Sequence, residues 1–335
     1  MATIKKIAEL SGFSRVTVSA VLHSKPGVSE RTRQKVLQAI REHDLHHRLI
    51  ARNLMGHFSH MFGMLVPDIS NPFYTELLDG FMAEIEDRDS HMICQPTRQS
   101  HEVEVRTLET LLEYNLAGFV LAPTHQKESF EHVQKVIAAG RPIVTIGVLP
   151  GIQTHIVDFE DRQGSKKATE YLINHGHERI VFLSGIMNSP AARDRTLGFM
   201  EALLERHAPF DDSMIARTDG RSESGYHAAL EMLKNRKPRP TALLCFNDVV
   251  AMGAYRAAHE LGLHVPTDIS IVGFDNIRIS AVLGPPLTTV SIFPDRIGRA
   301  AAKILTAVLD GNGRNRILRE VIPTELVERG SVQKL

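Results

Sequence analysis

A chain of 335 residues that is 43% hydrophobic and 23% charged has enough apolar material for two or three cored units. No run approaches the roughly 18 consecutive apolar residues of a membrane span. Its 39 basic and 39 acidic residues cancel, yet residues 1–60 hold ten Lys or Arg against four acids, a net +6 that leaves −6 for the remainder. A basic head on an acidic body points to a head that meets a polyanion. Cys94 and Cys245 lie in apolar segments and read as reduced thiols. The opening MATIKKIAEL has no apolar core, so no secretory signal is expected, and the expected location is cytoplasmic.

The first elements are three short helices. Ile4–Leu10, capped by Thr3, places Ile4, Ile7 and Ala8 on one face. Ser11-Gly12-Phe13 forms a tight turn. A second helix, Arg15–Leu22, starts at the cap Ser14 and turns Val18, Val21 and Leu22 inward. Lys25-Pro26-Gly27 interrupts the chain, and a third helix, Glu30–His43, follows the cap Ser29. Two short helices joined by a Gly-containing turn and braced by a third make a helix-turn-helix. Residues 44–60 are polar and His-rich and read as a linker with one helical stretch, Leu49–Met55.

From Met61 apolar runs alternate with amphipathic stretches. Phe62–Val66 precedes Phe73–Arg88, Met92–Cys94 precedes Val103–Tyr114, and Gly118–Ala122 precedes Ser129–Ala139, with Ile143–Ile146 after it. The rhythm resumes with Ile180–Leu183, Arg195–Arg206, Ser224–Leu233, Ala242–Cys245, Val249–Leu261 and Ile269–Val272. Such alternation predicts parallel sheets covered by helices, and its length predicts two Rossmann-like lobes.

Several fragments, in order along the whole chain, carry a specific resemblance. Ile7-Ala8-Glu9-Leu10-Ser11-Gly12-Phe13-Ser14, Thr17-Val18-Ser19-Ala20-Val21-Leu22 and Val28-Ser29-Glu30-Arg31-Thr32 lie in the head, and Ala51-Arg52-Asn53-Leu54 in the linker. Asn71-Pro72-Phe73-Tyr74, Gly176-His177-Glu178-Arg179-Ile180, Arg195-Thr196-Leu197-Gly198-Phe199, Ile271-Val272-Gly273-Phe274-Asp275-Asn276 and Leu326-Val327-Glu328-Arg329-Gly330-Ser331 lie in the body. Together they resemble the lactose/galactose repressor family of bacterial transcription regulators.

The resemblance implies an all-α helix-turn-helix DNA-binding head and an α/β two-lobed body like that of periplasmic binding proteins. The expected divisions are 1–45 for the head, 46–60 for a hinge helix and linker, and 61–335 for effector binding and dimerisation. The first lobe would span about 61–159 and 291–320, the second about 160–290 and 321–335. The expected function is sequence-specific regulation of transcription, as a repressor, under control of a small-molecule effector, a sugar or sugar derivative. A homodimer on a pseudo-palindromic double-stranded operator is expected, because the sequence ends without added leucine heptads; activation is the rival role.

The resemblance places Thr3, Ser14, Arg15, Val16, Thr17, Ser19, Ala20, Ala51, Arg52 and Leu54 at the DNA. Arg15 either pairs with a guanine edge or meets a phosphate, and Val16 offers apolar contact, for instance to a thymine methyl. Ser14, Thr17 and Ser19 cap the helix or touch the backbone. Leu54 is a candidate wedge that opens a base step, with a small-core role as the alternative. Lys6 stands where the family usually has an acid, either as a phosphate contact or solvated. The effector set is Ser70, Asn71, Phe73, Tyr74, Arg195, Asn247 and Asp275, with Asp248 a ligand or a helix cap. An Arg, carboxylates and an amide form a toolkit for clamping vicinal hydroxyls. Departures occur at Gly147-Val148, Glu160 and Gly220, where other members carry Asp-Arg, Asp and an aromatic platform.

No cofactor or metal is expected. His46, His47, His57 and His60 cluster, but no Cys or carboxylate stands at ligand spacing. The chain has no GxGxxG, Walker A, GxSxG or HExxH motif, which argues against an enzyme. The missing signal peptide argues against a periplasmic carrier.

Overall fold

A computed structural model of the chain describes residues 4–22, 27–43, 60–123, 129–186, 189–312 and 316–335. The head consists of α1 (Ile4–Ser11), α2 (Arg15–Leu22) and α3 (Glu30–His43). Ser14 Oγ accepts from Thr17 N at 3.1 Å and Ser29 Oγ from Thr32 N at 3.2 Å, so both predicted caps satisfy N–H groups that the first turn leaves free. Gly12, at φ +72°, turns the chain between α1 and α2. Ile7, Val18, Val21 and Val36 form a core that is small but continuous.

The body contains two six-stranded sheets. The first joins β1 (Met61–Val66), β2 (His91–Pro96), β3 (Gly118–Leu121), β4 (Ile143–Ile146), β5 (His155–Phe159) and β11 (Arg319–Ile322). Their order is β11-β5-β4-β3-β1-β2, with every pairing parallel. The second joins β6 (Ile180–Ser184), β7 (Ile215–Arg217), β8 (Ala242–Cys245), β9 (Ser270–Asp275), β10 (Thr288–Ser291) and β12 (Glu325–Val327). The order is β12-β10-β9-β8-β6-β7, parallel except for the antiparallel β10–β12 pair. Central strands such as β1 and β8 are nearly unbroken apolar runs because helices cover both faces.

The chain passes from one sheet to the other three times: after β5, after β10 and after β11. Helix packing over the sheets is close. A Cβ on Gly80 would lie 2.0 Å from the Asp295 carbonyl oxygen, and one on Gly298 would lie 1.9 Å from that of Leu77. Only glycine lets helices Pro72–Ile85 and Pro294–Leu309 approach so far. Among the described residues no helix is long and apolar enough to cross a membrane.

Candidate effector cleft and DNA-reading head

Both sheets share one winding pattern, so each has a point where strand order reverses: between β1 and β3, and between β6 and β8. Loops diverge there and leave a crevice beyond the carboxyl ends of the strands. The two crevices face each other across a cavity of about 570 Å³. That size falls within the roughly 300–1,000 Å³ of small-molecule sites.

Arg195 sits near the start of helix Pro190–Glu205 and is 4% exposed. Its Nε donates to Asp161 Oδ1 at 2.6 Å, and its Nη1 donates to Asp275 Oδ1 at 3.3 Å and to the Phe246 carbonyl. The guanidinium lies between two rings, 3.7 Å from the Phe274 centroid and 4.7 Å from that of Phe246. Both are cation–π contacts, of the kind Arg makes more often than Lys. Burial pushes the carboxyls of Asp161 and Asp275 upward, to about 6 and about 7, while the Arg195 charge pulls both back. Asp275 closes β9 at φ +104°, a strained backbone for a residue with a side chain. The neighbouring chain is clasped: Asp248 Oδ2 accepts from Ile277 N at 2.9 Å, and Asn276 Oδ1 accepts from Arg329 at 2.6 Å.

The residues after β1 line the opposite wall. Tyr74 packs edge-on against Phe73, with centroids 4.9 Å apart. Burial and then the Asp275 charge raise its phenol well above the usual range. Ser70 Oγ donates to Asp68 at 2.7 Å. Asn71 and Asn247 line the cavity, but each also caps a helix: Asn71 Oδ1 accepts from Phe73 N at 3.0 Å, and Asn247 Oδ1 accepts from Val250 N at 2.7 Å. Asn247 Nδ2 donates to the Gly220 carbonyl at 3.0 Å, so both ends of that amide are engaged. Asp248 lies away from the cavity and instead joins Ile277 N to Thr289 Oγ1, which donates to it at 2.5 Å.

Sequence reasoning missed Asp161, Asp68, Asp219 and Arg221. Arg221 reaches across the cleft, its Nε donating to Asp68 Oδ2 at 2.8 Å. Gln99 Nε2 donates to the Asp219 carbonyl at 3.3 Å, and Arg278 N donates to Glu76 Oε1 at 2.8 Å, which also link the lobes. Asp161 stands one residue after Glu160; the Glu160 side chain makes no cap bond, and Asp161 holds Arg195. Gly220 lies over Phe246, whose ring is 3.5 Å from where a Cβ would be.

In the head, Arg15 is exposed and Val16 is 79% exposed at the start of α2, while Thr17, Ser19 and Ala20 are half-buried. Ser14 and Thr17 hydroxyls bond each other at 2.9 Å. Arg15 and Val16 are thus the outward groups of that turn. Thr3, Ala51, Arg52 and Leu54 lie outside the described residues, as do His46, His47 and His57. Among the described residues one group offers clustered metal-ligand atoms, His101, Glu104 and His132, within 4.8 Å of one another. His132 Nε2 and Glu104 Oε1, 3.0 Å apart, join helices Glu131–Ala138 and His101–Glu113 as a buried pair.

Comparison with known proteins agrees with this architecture. Residues 3–47 match the model of bacterial regulatory proteins of the lacI family, and residues 169–332 match that of a periplasmic binding protein-like domain. The chain is 32% identical to the HTH-type transcriptional repressor PurR of Vibrio vulnificus (strain CMCP6), over the full length of both. A CelR–cellobiose complex superposes with a TM-score of 0.74 at 27% identity, covering 98% of this chain and 99% of that one. The lac repressor dimer bound to operator and an anti-inducer gives a TM-score of 0.74 at 27% identity, covering 99% of each chain.

Proposed function

The chain belongs to the LacI family of bacterial regulatory proteins, and from that premise we propose that its interlobe cleft binds a saccharide or saccharide derivative that sets how tightly the head grips an operator. It is a transcription regulator with a helix-turn-helix head and an effector-binding body. The observation that carries the effector reading is the Arg195 guanidinium held between Asp161 and Asp275 at the wall of the cleft. Carboxylates and a guanidinium that share one cavity wall can bond adjacent hydroxyls in a fixed geometry. Phe73, Tyr74 and Phe246 supply aromatic surface for the apolar faces of a sugar ring. CelR takes cellobiose and another family member takes ribose, which favours the same class here.

Members of the family are regulators rather than enzymes, and we assign this chain no chemistry on its ligand. Residues 1–45 act as the DNA-binding head, 46–60 as hinge and linker, and 61–335 as the effector and dimerisation body of a cytoplasmic homodimer. Arg15, Val16 and Ala20 read base edges in the major groove. Ser14, Thr17 and Ser19 support that helix, and Thr3, Ala51 and Arg52 contact the backbone or hinge region. Leu54 wedges the minor groove. Ser70, Asn71, Phe73, Tyr74, Arg195, Asn247 and Asp275 form the effector wall. A ligand that bridges Tyr74 and Asp275 binds the closed lobes better than the open ones, and only such a difference transmits a signal to the hinge. The test is a fluorescence titration of an operator duplex against the full-length protein, with and without a saccharide that raises its melting temperature. The reading requires a change in operator affinity; a ligand that binds and leaves that affinity untouched contradicts it.

A further inference from the structure

The lining of the cleft says more about its ligand than its size does. Among the described residues it contains six aspartates, three arginines and no Lys, His or Glu. Each arginine is already matched. Arg195 sits between Asp161 and Asp275. Arg221 bonds Asp68 at 2.8 Å and approaches Asp219 at 3.8 Å. Arg193 bonds its neighbour Asp194 at 2.9 Å. The sixth carboxylate, Asp158, is held from outside the cavity by Arg319 at 2.9 Å.

At three helix N-termini that open into the cleft, the other natural cradle for an anion, a side chain already takes one of the free N–H groups. Asn71, Ser189 and Asn247 accept from the N–H groups of Phe73, Ala192 and Val250. A phosphate or carboxylate entering the cleft brings further negative charge to a lining that already sets six carboxylates against three guanidiniums. A hydroxyl meets no such conflict. It can donate to the free lone pairs of Asp161 or Asp275 and accept from Arg195 without displacing either partner.

We propose that this cleft selects uncharged or cationic saccharides and rejects phosphorylated or carboxylated ones. The proposal rests on the saccharide reading above and specifies the charge that reading leaves open. Like-charge juxtaposition inside a buried site is among the strongest devices for refusing a ligand.

Matched ligands test it on the full-length protein, by thermal shift and calorimetry. The probes are trehalose, cellobiose, ribose and glucose, the phosphate monoesters of trehalose, ribose and glucose, glucuronate, and glucosamine. An uncharged or aminated sugar is expected to bind, with its anionic counterpart weaker by about a hundredfold or more. A phosphorylated or carboxylated member that binds as tightly as its parent overturns the charge rule. A panel in which no member of any charge binds instead overturns the saccharide reading beneath it. The Asp68→Asn/Asp219→Asn double variant provides a second check, because it releases Arg221. The preference for the uncharged member should then fall by about tenfold, and an unchanged preference shows that these pairs do not enforce it.

Discussion

Replacing Asp275 with Asn separates the cost of this site from its use. The carboxyl is 4% exposed and is pushed up from an ordinary 3.8 to about 7, chiefly by burial. At about 1.4 kcal/mol per unit, keeping it ionised in the folded protein costs on the order of 4 kcal/mol. Between these two values the folded chain retains a proton that the unfolded chain has released, so stability falls as pH rises from about 4 to about 7. Asn removes the charge but keeps an acceptor for Arg195 Nη1, and Asp161 still holds Arg195 Nε, so the cation is not stranded. The variant is expected to unfold later than the parent at neutral pH, by about 1–3 kcal/mol after the cost of burying an amide. Its advantage should grow by about 2–3 kcal/mol between pH 5 and pH 8. Urea melts of both proteins across that range measure this directly. Parallel stability curves would refute the assignment of a raised, charge-bearing Asp275. The same variant should bind its effector less tightly, as expected where a strained and desolvated residue is kept for function.

Three further outcomes follow from particular contacts. Arg195→Met leaves Asp161 and Asp275 facing each other without their cation; calorimetry should show effector binding lost and urea melts a loss of about 3–5 kcal/mol near neutral pH, smaller near pH 5 where both carboxyls take up protons. Operator affinity without effector should persist in that variant. Leu54→Ala should weaken operator binding by at least about tenfold while effector binding is spared, and unchanged operator affinity in a gel-shift titration would remove the wedge. Gly298→Val forces a side chain against the Leu77 carbonyl, 1.9 Å from where its Cβ would sit, and should destabilise the first lobe by about 1–3 kcal/mol or more in the same melts.

Much of the fold was written in local signals. The head helices begin at Ser14 and Ser29 because those hydroxyls cap them, and the central strands are apolar because both faces are covered. Elements without such signals escaped notice. β5 carries His155 and Asp158 near the edge of its sheet, and β10 (Thr-Thr-Val-Ser) is buried yet polar. β10 is stable because its hydroxyls and amides have distant partners: Thr289 donates to Asp248 and Thr288 N to Ser331. Helix Pro190–Glu205 starts five residues before the expected Arg195, at the Ser189-Pro190 cap signal.

The site divides in the same way. Arg195 and Asp275, which the family resemblance singled out, meet in the cleft wall, one near a helix start and the other at a strand end. Asn71 and Asn247 stand at the same strand ends, but helix capping uses their side chains. The partners that define the charge of the cleft were not legible. Asp161 lies 34 residues from Arg195, and Asp68 lies 153 residues from Arg221, and no periodicity reports pairs at such separations.

A basic head that grips duplex DNA, with occupancy between two lobes deciding how firmly, has two separable halves. Selection of bound duplexes from a random pool by the full-length protein, repeated with a saccharide shown to stabilise it, tests both halves at once. An enriched pseudo-palindromic site whose retention changes when the ligand is added is the expected result. A pool that emerges unenriched, or an enriched site indifferent to a bound ligand, would contradict it.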